Sequence, residues 1–90
     1  MDYYKILWKK SAERDIRNID HARIPAIIKA VEKLRADPFP EGVCRLKGSE
    51  RKYRIRVGDY RVIYQTDVIG KTIIVIYIRH RRDAYRSKAR

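Results

Sequence analysis

The stretch YRIRVGDYRVIY, residues 53–64, holds Arg54, Arg56 and Arg61 in a pattern that can grip an anion. Side chains of a strand alternate between its two faces. If Gly58 and Asp59 form a two-residue hairpin turn, Val57 faces Tyr60 and Arg56 faces Arg61. Ile55 then faces Val62, Arg54 faces Ile63 and Tyr53 faces Tyr64. The glycine permits the positive φ that so tight a turn requires. Tyr53, Ile55, Val57, Tyr60, Val62 and Tyr64 share one face, which suits a core. The other face carries the three arginines. Like charges directly opposite one another cost up to about 1 kcal/mol, so this pattern suits a fold that places an anion there.

A second basic group closes the chain. Arg79, His80, Arg81 and Arg82 are consecutive, and Tyr85 follows about one helical turn later. If this segment lies beside the hairpin, His80 or Arg81, with Tyr85, edges the arginine face. Strand parity decides which of the two points inward, and the sequence leaves it open.

Such a set could cleave RNA without a metal. Attack by a 2′-hydroxyl needs a base for its proton, cations for the charge on the phosphorane and an acid for the leaving 5′-oxygen. Arginine grips phosphate with two donors but is a poor proton carrier. Histidine ordinarily changes charge near neutral pH, which makes His80 the natural proton handler. Tyr85 could stack on a base or hydrogen-bond to the reacting group. One Cys and two distant His give no metal-ligand spacing, so neither metal nor other cofactor is expected. The plainer reading is a basic binding surface. His21 then reads as a solvated residue near a helix start, Cys44 as an inert small hydrophobe, and Trp8, Tyr53, Tyr60 and Tyr64 as core aromatics.

The chain has 90 residues and a formal net charge of +12, with 44% hydrophobic and 38% charged residues. That size fits one small domain spanning residues 1–90. The charge is uneven. Residues 1–44 hold nine Lys/Arg against seven Asp/Glu, whereas residues 45–90 hold fourteen against four. The C-terminal half is therefore the face for a polyanion, nucleic acid first and an acidic protein second. A lone cysteine suits a reducing compartment. The longest apolar run, residues 73–78, is too short to span a bilayer. A cytoplasmic protein without a membrane partner is expected.

The elements that must position these groups are readable. Residues 3–9 alternate Tyr4, Ile6 and Trp8 on one side, which predicts a strand. Ser11 is placed to cap a helix over about 12–18, with Ala12, Ile16 and Ile19 on one face. Ile24, Ile27, Ile28, Val31 and Leu34 form the apolar stripe of a second helix. Asp20 is its expected cap, and Pro25 fits its first turn. Pro38 ends it. Residues 43–48 predict a short strand, 52–57 and 60–66 the hairpin, 67–71 a turn and 72–80 a last strand apolar on both faces. The tail, RRDAYRSKAR, could form a short helix or fray. The fold class is α+β: an N-terminal strand and a two-helix hairpin packed on an antiparallel-rich sheet.

The residues RLKGSERKYRIRVGDYRVIYQ and IVIYIRHRRDAYR together resemble the RelE/ParE superfamily of bacterial and archaeal toxins from toxin–antitoxin pairs. The N-terminal strand, helical hairpin and helix-ending Asp-Pro also fit, so the resemblance covers about residues 3–86. It implies a small microbial-ribonuclease-like fold. It implies a toxin that enters the A site of the 70S ribosome, cuts mRNA without a metal to leave a 2′,3′-cyclic phosphate, and is neutralised by a cognate antitoxin. By motif, Arg61 matches the arginine that binds the scissile phosphate, Arg81 the arginine ending the last strand and Tyr85 the tyrosine after it. Arg54 and Arg56 stand where the RelE branch has lysines, and arginine cannot be tuned toward neutral pKa. Together, the residues and the resemblance give Arg61, His80, Arg81 and Tyr85 as the expected catalytic set, with Lys52, Arg54, Arg56 and Arg82 expected to bind RNA phosphate. In an alternative, ParE-like reading the protein is no nuclease and inhibits DNA gyrase.

Overall fold

A computed structural model describes residues 3–48 and 51–82. Its sheet contains β1 (Lys5–Trp8), β2 (Cys44–Arg45), β3 (Lys52–Val57), β4 (Tyr60–Asp67) and β5 (Thr72–His80), in the spatial order β1-β5-β4-β3-β2. The pairs β2–β3, β3–β4 and β4–β5 are antiparallel, and β1 lies parallel to β5. Helices α1 (Lys10–Arg17) and α2 (Ile24–Lys33) contribute the other layer, joined through a 3₁₀ turn at His21–Arg23. The predicted α+β class and its two-layer arrangement are the ones observed. Among the described residues, no helix is long and apolar enough to cross a membrane.

The hairpin register is the one that the alternation demands. Val57 pairs with Tyr60, Arg56 with Arg61, Ile55 with Val62, Arg54 with Ile63 and Tyr53 with Tyr64. Gly58 has φ +60°, while Asp59 keeps a negative φ. A positive φ at the first turn position alone is the type II′ pattern, which matches the twist of the flanking strands. Ile55, Val62 and Tyr64 are buried, and Tyr53, Val57 and Tyr60 pack against them. Ala12, Ile19, Ile27, Val31 and Leu34 supply the helical half of the core, with Ile16 and Ile24 at its margin. The expected core aromatics therefore sit as core: Tyr64 is buried, and Trp8, Tyr53 and Tyr60 flank the cluster.

Some local expectations are corrected. Ile28, placed on the apolar stripe of α2, is exposed instead; it lies about 100° around the helix from the buried Ile27, at the margin of the stripe. Asp20 caps the 3₁₀ turn rather than α2, accepting from the N–H of Ala22 at 3.2 Å. Pro25 does occupy the first turn of α2. Cys44 is exposed on the edge strand, not packed as a small hydrophobe. Ser11 is not the cap of α1; Lys9 holds that position, without a side-chain bond. The Ser11 hydroxyl donates instead to the carbonyl of Ile76.

That bond belongs to a device at the edge of β5. Strand β1 covers only the first half of β5, pairing from Lys5–Thr72 to Trp8–Val75. Beyond Val75 the outward-facing N–H and C=O groups of β5 have no strand beside them among the described residues. Helix α1 takes that place. Ser11 and Asp15, one turn apart on the same side of the helix, bond the Ile76 carbonyl and the Ile78 N–H. An edge that would otherwise invite another strand is satisfied by side chains.

Candidate phosphate-binding site

Opposite the helices, the sheet presents Lys52, Arg54 and Arg56 from β3, Arg61 and Ile63 from β4, and Tyr77 and Arg79 from β5. This follows from the ladder: Arg61 pairs with Arg56 on one side and with Arg79 on the other. Three arginines thus stand in a row across three strands. In the sequence, Arg79 stands out only as part of the terminal basic run, with no role in the site. Its charge is partly spent: Nη1 lies 2.7 Å from Asp15 Oδ2, and the guanidinium lies over the ring of Tyr77, 4.6 Å from its centroid. Arg54, Arg56 and Arg61 form no ion pair with a carboxylate among the described residues.

Arg56, Gly58, Asp59, Tyr60, Arg61 and Arg81 line an open cleft of about 160 Å³ at the hairpin tip. The N–H of Arg81 donates to the Asp59 carbonyl at 2.8 Å, and its Nη1 lies 3.9 Å from Asp59 Oδ1. That backbone bond carries the strand pairing one residue past β5 and brings Arg81 to the turn. Three arginines thus line one concavity, and a guanidinium offers the planar, paired donors that suit a phosphate. Arg54 lies two residues further along the same face of β3, and Lys52 two beyond that, at the far end of the row.

His80 goes elsewhere. It pairs with Tyr60, on the face that carries Val62 and Ile78. Its ring meets the Tyr60 ring edge-on at 5.1 Å between centroids. It lines a second cavity, of about 270 Å³, with Asp20, Arg23, Val57 and Tyr60, on the helix side of the same turn. The parity that the sequence left open therefore places Arg81 at the arginine cleft and His80 behind it. Arg82 is exposed, and its N–H donates to His80 Nδ1 at 3.1 Å. Tyr85 lies outside the described residues. So the structure gathers Arg56, Arg61 and Arg81, keeps Lys52 and Arg54 along the same face, and separates His80 from them.

Comparison with known proteins agrees with this frame. Residues 6–85 match the family model described as the ParE toxin of type II toxin-antitoxin system, parDE. The chain is 31% identical over 85 residues to Toxin RelE3 of Methanocaldococcus jannaschii, covering 90% of this chain and 94% of that one. It is 30% identical over 81 residues to RelE1 of the same organism, covering 87% and 90%. Among solved structures, the archaeal RelE–RelB complex from Pyrococcus horikoshii superimposes with a TM-score of 0.78 at 27% identity, covering 90% of this chain and 97% of that one. On these matches the chain belongs to the RelE/ParE superfamily of type II toxin–antitoxin toxins.

Proposed function

We propose that this toxin is a ribosome-dependent mRNA endoribonuclease, cutting in the A site and neutralised by a cognate antitoxin. The observation that carries the proposal is the cleft lined by Arg56, Arg61 and Arg81, with Asp59 its single carboxylate among the described residues. In the reaction, the 2′-oxygen of the substrate attacks the adjacent phosphorus. Its proton passes to solvent water, a pentacoordinate phosphorane forms as the P–O2′ bond is made, and the P–O5′ bond breaks as the 5′-oxygen takes a proton back from water. The products are a 2′,3′-cyclic phosphate and a 5′-hydroxyl. Arg56 and Arg61 hold the non-bridging oxygens and offset the charge that grows on them. Arg81 closes the cleft from the end of β5. Lys52 and Arg54 engage flanking phosphates along the sheet, and Arg82 adds to the field beyond the strand. Tyr85 keeps the role that the family resemblance implies.

Arginine stabilises charge well and moves protons poorly. A site built mainly of arginines therefore gains most from a partner that presents the 2′-oxygen in line with its leaving group. Orientation of this kind contributes up to about 7–11 kcal/mol, and an mRNA held by the ribosome supplies it. The antitoxin is supported by the relatives in which toxin and antitoxin occur together, such as the RelE–RelB complex. An acidic segment of an antitoxin would pair with the arginines that lack carboxylate partners.

The matched family model, a ParE model, favours one second reading: a toxin that inhibits DNA gyrase without cutting RNA. Purified chain incubated with ribosomes paused on a short defined mRNA separates the two. The proposal expects a cut within the A-site codon that leaves a cyclic phosphate and is lost in Arg61→Ala. Intact mRNA, with a control toxin cutting the same ribosomes and DNA-damage signalling on expression in cells, would transfer the assignment to gyrase.

A further inference from the structure

His80 sits directly before Arg81, the one cleft arginine among the described residues that does not belong to the hairpin. Its own position is unusual for a residue in so basic a segment. The ring lies on the helix side of the sheet, against Tyr60. Asp20 and Arg23 face the same cavity from the 3₁₀ turn, and Asp59 faces it from the hairpin. The ring does not reach the arginine cleft, because Tyr60 and His80 are paired on one face while Arg61 lies on the other. What it does reach is backbone: Nδ1 accepts the N–H of Arg82 at 3.1 Å. In a neutral ring this acceptance places the proton on Nε2.

Arg81 and Arg82 begin a helical turn. The first N–H groups of such a turn have no partner of their own and need an acceptor from outside it. His80 supplies one side of this anchor and Asp59 the other, since the Asp59 carbonyl accepts the N–H of Arg81 at 2.8 Å. Between them the two bonds fix the backbone on both sides of Arg81 as the chain leaves β5. Packing against Tyr60 keeps the imidazole in the rotamer that the bond needs.

We infer that His80 is a positioning residue: its Nδ1 captures the Arg82 N–H and so aims the Arg81 guanidinium into the phosphate cleft, without itself moving a proton in the reaction. The role assigned to Arg81 rests on the ribonuclease reading; the hydrogen bond does not. An asparagine carries its amide oxygen where the imidazole carries Nδ1, whereas alanine and glutamine do not. The variants His80→Asn, His80→Ala and His80→Gln therefore separate anchoring from acid–base chemistry.

The test measures cutting of ribosome-held mRNA by the four proteins, with amide hydrogen exchange at Arg82 and near-ultraviolet circular dichroism as readouts of the anchor and of folding. His80→Asn is expected to cut within about twofold of the parent and to keep the Arg82 amide protected. His80→Ala and His80→Gln lose that protection and cut roughly two- to tenfold more slowly, the scale of one net hydrogen bond. A loss of about 100-fold or more in His80→Asn, the scale of a missing general acid or base, would overturn the inference. So would equal rates or equal Arg82 exchange in the asparagine and alanine variants. If the parent chain does not cut, the ribonuclease reading fails on its own. The Arg82 exchange then still decides the anchor, which stands if asparagine preserves protection that alanine loses and falls if it does not.

Discussion

Asp15 Oδ2 accepts the Arg79 guanidinium at 2.7 Å while also accepting the N–H of Ile78 at 2.9 Å. One carboxylate thereby closes the free edge of β5 and holds one of the three arginines in the row. The fold neutralises the arginine farthest from the hairpin and leaves Arg56 and Arg61 open. Asp15→Asn keeps an acceptor for Ile78 but gives up the ion pair. It is expected to lower stability by about 1–2 kcal/mol in urea melts, and to raise affinity for a short single-stranded RNA, because Arg79 is released beside Arg61. A variant that is less stable and binds RNA no more tightly would remove Asp15 from any account of the site's charge.

Gly58 sets the register of the arginines. Its φ of +60° is in a region where a β-carbon is strained, at about 1–2 kcal/mol for an L-residue. Open space surrounds the position, so backbone strain is the only cost of a methyl group. Gly58→Ala should lose at least about 1 kcal/mol of stability and weaken RNA binding as the pairing of Arg56 with Arg61 loosens. Unchanged urea melts would show that the turn adopts another conformation at no cost.

The contrast between this hairpin and β5 shows what the sequence can disclose. From Tyr53 to Val62 the apolar and charged residues alternate on either side of a glycine-marked turn, so a period of two gives the partners from Val57–Tyr60 outward. Strand β5 offers no such contrast, because Ile73 to Ile78 are all apolar or aromatic. It also contains a register irregularity: Ile63 pairs with Tyr77, yet Tyr64 pairs with Val75. The extra residue, Ile76, reverses the parity. Ile73 and Val75 face the core and so does Ile78, three residues on. Counting by twos from Val75 would have sent Arg79 to the helices and His80 to the arginines. The observed order is the reverse. Asp15 was equally hidden, since its role depends on how far β1 runs along β5. The site's cations were legible because their chemistry is in the side chain; the silent partners were not, because theirs is in the geometry.

Tyr64 ties the sheet to the segment after α2. Its buried hydroxyl donates to the Pro38 carbonyl at 2.7 Å. Burial drives its pKa above the ordinary tyrosine range, and the charges of Tyr53 and Asp37 push the same way. A raised folded-state pKa means that the unfolded chain loses the proton first. The contribution is therefore complete below about pH 10, the unfolded value, and is lost as pH rises beyond it, by at most about 1.4 kcal/mol per pH unit. Tyr64→Phe should cost about 1–3 kcal/mol at pH 7, where the Pro38 carbonyl loses its donor. Its deficit should shrink between pH 10 and 11. A deficit constant across that range in paired urea melts would refute the account.

The row of arginines makes a prediction in which stability and binding diverge. Arg56 and Arg61 stand opposite each other with no carboxylate partner among the described residues. Removing one relieves repulsion, so Arg61→Ala should fold as well as the parent or a few tenths of a kcal/mol better, about the size of a cross-strand charge pair. The same change removes a phosphate contact. Affinity for a single-stranded RNA should fall, and the slope of log affinity against log salt should become shallower by about 0.7, one contact's share. Arg17→Ala, an exposed change on α1 with the same loss of net charge, is the control and should leave the slope nearly untouched. Binding titrations from low to moderate salt, run beside urea melts, decide the matter. Equal slopes for the two variants would mean that RNA is held by the overall charge of the chain and not by this cleft, and a large loss of stability in Arg61→Ala would mean that the arginine supports the fold instead of the ligand.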